Sequence, residues 1–507
     1  MVDRIKNDKI SQRFLDGVEK AGKKIPHPLI LFLYLITCVL ILSGVGEYFR
    51  WEVKFFGVNI KTNEIEELVV KAKSLLSKEG VIFMFTTMVK NFTGYAPLGT
   101  LLFIMLGIGL TEGVGLMEVV IRKIALKTSK KYIVPVVIFL GVMSNIASDA
   151  GGYVLPPLAA AVFMSFNRHP IAGMVAVYAG VCGGYSANLL LGAIDPMLGG
   201  ISQEAARIIN PHYTVYPVAN WYFMALSVPL IVFLGTIVNN KVIEPRLGEY
   251  KGEHSEIELE KIEMDENSER KALKGALLGL IGVLIASVPL YYILEKNFLG
   301  NGLVPIIFFF FAIPSIVYGV KNGKIKKARD AIQMMVKSME KMAPLITIIA
   351  FSSQFSAYFK FSNLGTILAV KGGEFLENAG ITGIPLIIFF VVFIGTINVF
   401  LSSSSSKWVM LSPIIIPMFM RIGYTPEFTQ LAYRVGDSFT NMLSPLMPAL
   451  LVLLITAQKY DKDSSVGTLI AYLVPYSIFF CIGWIIMLII WQIFGLPIGP
   501  GAVIRMI

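Results

Sequence analysis

Long apolar stretches alternate with shorter polar ones along almost the whole chain from Pro28 onward. A helix needs about 20 mostly apolar residues to cross the hydrocarbon core of a bilayer. Nine stretches come close to that length or exceed it, and each predicts one transmembrane helix. They lie near residues 27–46, 97–124, 171–200, 218–240, 272–294, 302–320, 341–370, 429–457 and 467–495.

Two further stretches, 131–165 and 382–420, are too long for one straight crossing at about 1.5 Å per residue. Each has a cluster of polar or small residues in its middle, SNIASDAGG at 144–152 and SSSSSK at 402–407. Irregular backbone at membrane depth is tolerated only where protein buries it or where it lines a water-filled cavity. We therefore predict two re-entrant hairpins, each returning to the side from which it enters.

The distribution of Lys and Arg between the two sides supports these hairpins. With a cytoplasmic N-terminus and both hairpins re-entrant, 29 basic residues lie inside and 12 outside. If each hairpin were a single crossing, 18 would lie inside and 23 outside. Because cytoplasmic loops carry the excess of positive charge, the first arrangement is favoured. The predicted fold is an all-α polytopic membrane protein with about nine transmembrane helices and two re-entrant hairpins.

Composition excludes several other classes of protein. Hydrophobic residues make up 55% of the chain and charged residues 15%, whereas a soluble domain carries about 25% charged residues. A soluble enzyme, a nucleic-acid-binding module and a fibrous protein are therefore excluded. The net charge of +10 reflects mainly the loops between spans. Cys38, Cys182 and Cys481 are too far apart to suggest a metal or redox motif.

The two halves of the chain share an order of elements. Each hairpin is followed by a segment in which an aromatic residue and small polar residues precede a helix-breaking proline: GGYSANLLLGAIDPMLGGI at 183–201 and AYRVGDSFTNMLSPLMPALL at 432–451. The halves begin on opposite sides of the membrane, so this predicts an inverted repeat, with a transport site near the midplane. The predicted order is a cytoplasmic tail at 1–26, first spans and an outside loop at 27–130, a first repeat at 131–240, a cytoplasmic linker at 241–271, scaffold spans at 272–340, a second repeat at 341–496 and a C-terminal tail at 497–507.

Charged residues inside a bilayer are costly, and they indicate function by default. All those in this chain fall in the two hairpins or in the broken segments that follow them. They are Asp149, Asp195, Lys407, Arg434 and Asp437.

Arg434 and Asp437 are three residues apart and would share one face of a helix. Asn441, Ser444 and Pro448 would extend that face. One interpretation is a guanidinium that binds a substrate carboxylate beside a carboxylate that binds a cation or proton. The alternative is an intrahelical ion pair that neutralises itself.

Asp195 precedes Pro196, and Ser186 and Asn188 lie upstream of it. A proline inside a span frees backbone carbonyls, and these would suit a monovalent cation together with carboxylate and amide oxygens. The alternative is a helix cap where the span ends near Gly199.

Asp149 has two similar interpretations. With Ser148 and Asn145, it could contribute to ion coupling or cap the second helix of its hairpin.

The run from Ser402 to Ser406, followed by Lys407 and Trp408, forms the tip of the second hairpin. Hydroxyls and helix N-terminal amides would bind an anionic group, and Trp408 would stack on an aromatic ring. Alternatively, the run is only a flexible polar turn with Trp408 as an interfacial anchor. A Ser–Lys catalytic pair lacks any partner motif, so we do not expect an enzyme. No Walker A, dinucleotide-binding or HExxH motif is present.

Four motifs together resemble the AbgT family, the p-aminobenzoyl-glutamate transporters, and the resemblance extends from about residue 20 to 495. They are SNIASDAGGYVLPPLAAAVF at 144–163, NRHPIAGM at 167–174, GGYSANLLLGAIDPMLGGIS at 183–202 and AYRVGDSFTNMLSPLMP at 432–448. The resemblance implies nine helices with two hairpins, a homodimer and a bacterial inner-membrane location. It assigns the site to Asp195, Asn398, Ser405, Trp408, Pro426, Arg434, Asp437 and Pro445.

The resemblance also implies the cargo, an aromatic carboxylate such as p-aminobenzoyl-glutamate, moved by coupling to sodium or protons. Asp195, Asn398 and Asp437 would suit the ion, and no other cofactor or nucleic-acid partner is expected. The serine-rich tip followed by Lys407 departs from the family pattern and adds a positive charge near the site. The alternatives are a proton-driven exporter of sulfonamide-type antimetabolites and a passive channel for small anions.

Overall fold

The computed structural model describes residues 28–58, 65–146, 151–192, 194–250, 266–401 and 403–506. In that part of the chain, nine helical segments are long and apolar enough to cross a membrane, which confirms the predicted polytopic all-α fold. They are Leu29–Tyr48, Lys78–Val114, Trp221–Leu247, Asn267–Leu294, Leu303–Lys321, Ala328–Phe361, Gly383–Phe400, Pro426–Gln458 and Val466–Phe494.

The N-terminal half contains α1 to α10 and one small sheet. Strands β1 (Glu52–Val58) and β2 (Ile65–Lys71) form an antiparallel pair inside the loop predicted to lie outside the membrane. The helices are α1 (Pro28–Tyr48), α2 (Lys78–Thr93), α3 (Ala96–Val114), α4 (Leu116–Lys127), α5 (Ile133–Ser144), α6 (Gly151–Ser165), α7 (Pro170–Tyr178), α8 (Ile194–Ala206), α9 (Trp221–Val238) and α10 (Glu244–Leu247).

In the described part of the C-terminal half, all the extended elements of secondary structure are helices. Its helices are α11 (Glu266–Leu294), α12 (Leu303–Lys321), α13 (Ala328–Phe361), α14 (Leu364–Asn378), α15 (Gly383–Phe400), α16 (Ser404–Arg421), α17 (Pro426–Phe439), α18 (Pro448–Gln458) and α19 (Val466–Phe494). Single turns of 3-10 or π helix occur at Lys130–Tyr132, Ala179–Gly183, Asn239–Ile243, Glu295–Asn297, Phe298–Gly302 and Asn441–Leu443.

Several predicted boundaries need correction. The stretch 97–124 is divided because Gly115, at φ +71°, ends α3; a left-handed residue cannot continue a helix, and glycine adopts that conformation without strain. The stretch 341–370 is divided in the same way at Asn363, at φ +60°. The stretch 171–200 is not one continuous span but α7, a π turn and α8, separated by irregular backbone.

The matching order of elements in the two halves is present in the structure. A hairpin (α5 and α6, or α15 and α16) is followed by a broken segment (α7 and α8, or α17 and α18) and then by a long helix (α9, or α19). Elements of each half also pack on elements of the other half. The second hairpin arm α16 packs on α8 of the first half, and the arm α6 packs on α18 of the second. Each hairpin is therefore held by the broken segment of the other half.

The polar interior of the molecule lies where these elements meet. All 14 residues of α17 are buried, and both α15 and α16 pack against this helix. Around this unit, α12 and α13 both pack on α3, and α11 packs on α12. Only 6% of the residues in the apolar window of α11 are buried. The chain thus has a buried polar centre and an apolar outer layer, as a bilayer solvent requires.

The segment that follows α19 returns to the turn between α16 and α17. The backbone N–H of Thr425 donates to the carbonyl of Ile504 at 3.0 Å, and that of Met506 donates to the carbonyl of Gly423, also at 3.0 Å. The Arg505 guanidinium lies 3.9 Å from the centre of the Tyr424 ring. The residues predicted as a C-terminal tail are therefore packed on the entry to α17.

Candidate functional site

Arg434 and Asp195 join the two repeats. Nη1 of Arg434 donates to Oδ1 of Asp195 at 2.7 Å, and the two side chains are 1% and 6% exposed. The other carboxylate oxygen of Asp195 accepts from the backbone N–H of Gly192 at 2.7 Å. Asp195 thus fixes the irregular segment before α8 and also binds the guanidinium. Because α8 continues to Ala206, the alternative of a cap at a span ending near Gly199 is wrong.

Asp437 pairs with Lys407 instead of with Arg434. Nζ of Lys407 lies 2.6 Å from Oδ1 of Asp437, and neither side chain is more than 1% exposed. The same ammonium donates to Oδ1 of Asn398. The predicted alternative of an intrahelical Arg434–Asp437 pair is therefore wrong, because each residue has a partner on another element. The expected extra positive charge of Lys407 is also cancelled, since the four groups form two neutral pairs.

Asn398, near the end of α15, connects the second hairpin to the end of α17. Its Nδ2 donates to the carbonyl of Asp437 at 2.6 Å, to Oγ1 of Thr440 at 3.0 Å and to Oδ1 of Asn441 at 2.8 Å. The Asp437 carbonyl is available for this bond because α17 ends at Phe439. The predicted helical face through Ser444 and Pro448 is consequently interrupted at this point.

Trp408 is enclosed by protein in this conformation. Its ring stacks on Tyr433 with centroids 4.3 Å apart, and its Nε1 donates to Oγ of Ser202 at 2.9 Å. Its side chain is fully buried, so the face that was expected to stack on a substrate ring is covered by Tyr433. Its role toward a substrate stays a prediction.

A chain of polar contacts missed by the sequence analysis continues from Ser202. Ser202 Oγ donates to Oε1 of Gln430 at 2.6 Å, and Nε2 of Gln430 donates to Oδ1 of Asn220 at 2.9 Å. Asn220 in turn donates to the carbonyl of Glu427 at 2.9 Å. The signal that could have revealed them is the occurrence of Gln430 and Glu427 just before Arg434 in a segment otherwise suited to the membrane.

Glu427 is a further buried acid on α17 and binds a loop residue. Tyr213, between α8 and α9, donates its hydroxyl to Oε2 of Glu427 at 2.9 Å. Burial of the phenol, reinforced by this carboxylate, raises the pKa of Tyr213 above its usual value. Tyr213 therefore remains a hydrogen-bond donor at any physiological pH.

Several buried polar atoms beside the ion pairs have no hydrogen-bond partner among the described residues. Leaving such an atom unpaired costs about 1–3 kcal/mol, so a group of them indicates a place where a ligand or water supplies the missing bonds. Arg434 Nη2 also reaches the carbonyl of Ser186 at 3.5 Å, which places the irregular segment before α8 beside the guanidinium. The unpartnered atoms here are Ser186 Oγ, Asn188 Nδ2 and Oδ1, Ser404 Oγ, Arg434 Nε and both carboxylate oxygens of Asp437, whose contact with Lys407 is an ion pair without hydrogen-bond geometry.

The remaining predicted residues lie around this centre. Asn145 donates to the carbonyls of Val142 and Val181, which ties the first hairpin to the π turn after α7. Ser405 is half-buried in the first turn of α16, and Pro445 lies in the irregular link between α17 and α18. Pro426 is the first residue of α17, two turns before Arg434. Asp149 lies outside the described residues.

The oxygens predicted to bind sodium do not form one site in this arrangement. The carboxylate of Asp195 binds Arg434, whereas Asp437 and Asn398 bind the Lys407 ammonium. Among the described residues, no three His, Cys, Asp or Glu side chains are grouped as metal ligands would be. Asp195, Asn398 and Asp437 therefore bind cationic side chains in this arrangement, and their binding of sodium stays a prediction.

Comparison with known proteins agrees with this architecture. Residues 13–506 match the family model described as the AbgT putative transporter family. The chain is 36% identical to the p-aminobenzoyl-glutamate transport protein of Escherichia coli over 505 residues, which are 97% of each chain.

Two solved structures are similar over almost the full length. The YdaH transporter of Alcanivorax borkumensis is 37% identical, with a TM-score of 0.85 over 94% of this chain and 100% of that one. MtrF of Neisseria gonorrhoeae, whose structure illuminates a class of antimetabolite efflux pumps, is 41% identical, with a TM-score of 0.89 over 96% and 100%. Because the family model covers nearly the whole chain and the relative shares 36% of its residues, the chain belongs to the AbgT family of multi-pass membrane transporters.

Proposed function

We propose that this chain is an ion-coupled secondary transporter of p-aminobenzoyl-glutamate or a closely related aromatic carboxylate. The observation that carries the proposal is the buried Arg434–Asp195 pair between the two repeats, surrounded by unpartnered polar atoms. The 36% identity to the E. coli p-aminobenzoyl-glutamate transport protein supports the choice of cargo.

Arg434 is suited to bind a carboxylate of the cargo. One of its terminal nitrogens bonds to Asp195, whereas Nε has no hydrogen-bond partner among the described residues. A guanidinium can bind a carboxylate through two parallel hydrogen bonds. A glutamate carboxylate would compete with Asp195 for this group, and the unpartnered amide of Asn188 would accept or donate further bonds. Release of Asp195 would then loosen the contact between the repeats, which is the kind of change that alternating access requires.

Coupling would occur through the same charges. A cargo anion that displaces Asp195 leaves a buried carboxylate without its cation, and a buried charge must be neutralised. Uptake of a cation or proton by the released carboxylate would restore neutrality. In this scheme the second pair, Lys407–Asp437, stays neutral during the exchange.

The surroundings of the transporter also belong to the proposal. Because basic residues are concentrated on one side, we place the N-terminus in the cytoplasm and the chain in a bacterial inner membrane. We further propose a homodimer, which the resemblance to the AbgT family implies.

Export of sulfonamide-type antimetabolites is a second candidate. It is supported by the 41% identity to MtrF over the whole of that protein. Since a sulfonamide also combines an aromatic ring with an acidic group, the same site chemistry would serve both cargoes.

The test is transport of labelled p-aminobenzoyl-glutamate in proteoliposomes, with a proton or a sodium gradient imposed in turn. Accumulation above equilibrium is expected for wild type and for the control Arg329→Met, whose arginine is exposed at the start of α13. Arg434→Met should not transport. Equilibration without accumulation would indicate a passive channel, and a sulfonamide moved outward in place of this cargo would indicate the second candidate.

A further inference from the structure

The ammonium of Lys407 occupies a position with the chemistry of a cation site. It is held between a carboxylate oxygen of Asp437, at 2.6 Å, and the amide oxygen of Asn398, and its side chain is only 1% exposed. Carboxylate and amide oxygens are ligands that a hard cation prefers. The ammonium has the same single charge as sodium; it forms an ion pair with the Asp437 oxygen and donates a hydrogen bond to the Asn398 oxygen.

The charges around this position leave no room for a second cation. Asp195, the other acid at the centre, is neutralised by Arg434. The described side chains that bond to Asn398 and to the Ser404 carbonyl, namely Thr440, Asn441 and Tyr433, are neutral. A sodium ion entering beside the ammonium would set two positive charges against one carboxylate in a buried site, where such repulsion is strong.

We propose that the Lys407 ammonium is a built-in cation that takes the place of sodium and makes the transport cycle independent of that ion. The inference rests on the proposed function as a coupled transporter. It also names Lys407 as the residue that determines which ion the site accepts.

The experiment measures saturable binding of ²²Na⁺ to the purified protein, without any cargo, in wild type, Lys407→Met and Lys407→Arg. Wild type and Lys407→Arg should show none, whereas Lys407→Met should gain saturable binding that Asp437→Asn removes from the same background. A folded Lys407→Met protein without sodium binding would overturn the proposal, as would wild-type sodium binding that depends on Asp437. Because the measurement contains no cargo, it gives a result even if the proposed substrate is wrong.

A second inference comes from a separate apolar cavity. It has a volume of about 790 Å³ and lies among α3, α4, α5, α11 and α12. Its walls are almost entirely aliphatic and aromatic, and include Val120, Met143, Leu277 and Phe310. This volume falls within the range of about 300–1,000 Å³ found for pockets that enclose a ligand, and the predominantly apolar walls suit an apolar chain.

One end of this cavity is basic. Lys123 and Lys127 line it at the end of α4. Lys123 shares the single carboxylate of Glu269 with Arg122, at 2.9 and 3.2 Å, while Lys127 is exposed and has no ion pair among the described residues. The cations at this end therefore outnumber the acid that pairs with them. An anionic lipid has an apolar acyl chain and a negatively charged headgroup. The apolar chamber suits the chain, and the positive rim suits the headgroup.

We infer that the cavity binds one anionic phospholipid, with an acyl chain in the chamber and the phosphate at Lys123 and Lys127. The basic rim distinguishes this occupant from a zwitterionic lipid or the apolar face of a second subunit, because neither of these complements an excess of positive charge.

Native mass spectrometry of the delipidated protein titrated with phosphatidylglycerol or phosphatidylcholine tests the site. Phosphatidylglycerol should bind preferentially, and Lys123→Gln/Lys127→Gln should weaken its binding about 25-fold, since each basic group near an anionic lipid contributes about fivefold. Leu277→Trp should block it by filling the chamber, and the exposed pair Lys130→Gln/Lys131→Gln should leave it unchanged. Equal binding of both lipids would overturn the inference. Disulfide-linked dimers formed by Leu277→Cys, but not by the parent protein, would also overturn it, because they would show that a second subunit covers the cavity.

Discussion

Helices α17 and α11 are opposites in composition and in environment. α17 contains Glu427, Gln430, Arg434 and Asp437, and all its residues are buried. α11 presents leucine, isoleucine and tyrosine, and most of its apolar residues are exposed, with Ile285 at 66%. In a soluble protein the two would exchange places. The comparison shows that in a bilayer hydropathy predicts which segments cross, whereas polarity predicts which of them form the interior.

The largest effect should come from breaking the charge pair between α17 and α8. Arg434→Met leaves Asp195 as an unpaired buried charge, so unfolding free energy should fall by about 3–5 kcal/mol and transport should be lost. The double variant Arg434→Met/Asp195→Leu removes both charges, so stability should return while transport does not. Chemical unfolding in detergent and proteoliposome transport measure the two properties. If the double variant also transports, the pair is only structural.

A charge placed on α11 should have a slightly smaller energetic effect, and it should act on membrane insertion and not on transport. Ile285→Lys would expose an ammonium to lipid at the middle of the helix, which costs about 2.5–3.5 kcal/mol in membrane insertion. The yield of inserted protein should fall, and Ile285→Leu should behave as wild type. Normal insertion of the lysine variant would mean that this face of α11 meets water, which would contradict the contrast with α17.

The smallest predicted effect on function is that of replacing Asn188. Its side chain is buried, and its amide has no hydrogen-bond partner among the described residues. Because its amide has no partner to lose, Asn188→Ala should not reduce stability, yet cargo affinity should fall about tenfold for the loss of its bonds to the cargo. Asn220→Ala is the matched control: its amide bonds to Gln430 and Glu427, so stability should fall by about 1–3 kcal/mol. Thermal unfolding and equilibrium binding separate the two. Unchanged affinity in Asn188→Ala would remove this residue from the site.

The sequence was sufficient to predict the polytopic all-α fold, the two hairpins and the charged residues Asp195, Lys407, Arg434 and Asp437 of the centre. Length, hydropathy and the sidedness of basic residues determine those features without any knowledge of packing. The predicted span at 171–200 is broken, and the polar contacts of Gln430 and Asn220 were not predicted. The predicted positions of the helix ends were less accurate. The break at Gly115, for example, depends on one backbone angle within an apolar run.

Partner choice at the centre could not be predicted in the same way. The spacing of Arg434 and Asp437 indicates a shared helical face, but not that each side chain turns to another element. Asp195 is 239 residues away from Arg434, and Lys407 meets Asp437 only because α16 packs on α17. Similarly, nothing local in the sequence indicates that Tyr433 would cover Trp408. Such pairings are properties of the assembled repeats.

The pairing of the turn before α17 with residues beyond α19 has a consequence for biosynthesis. Thr425 bonds to Ile504, which is synthesised 79 residues later, so this turn stays open while α17, α18 and α19 enter the membrane. Its free backbone groups can be satisfied only after the final crossing has been inserted. Closure of the turn therefore follows the insertion of α19, and Gly423 and Thr425 lack these backbone partners until then.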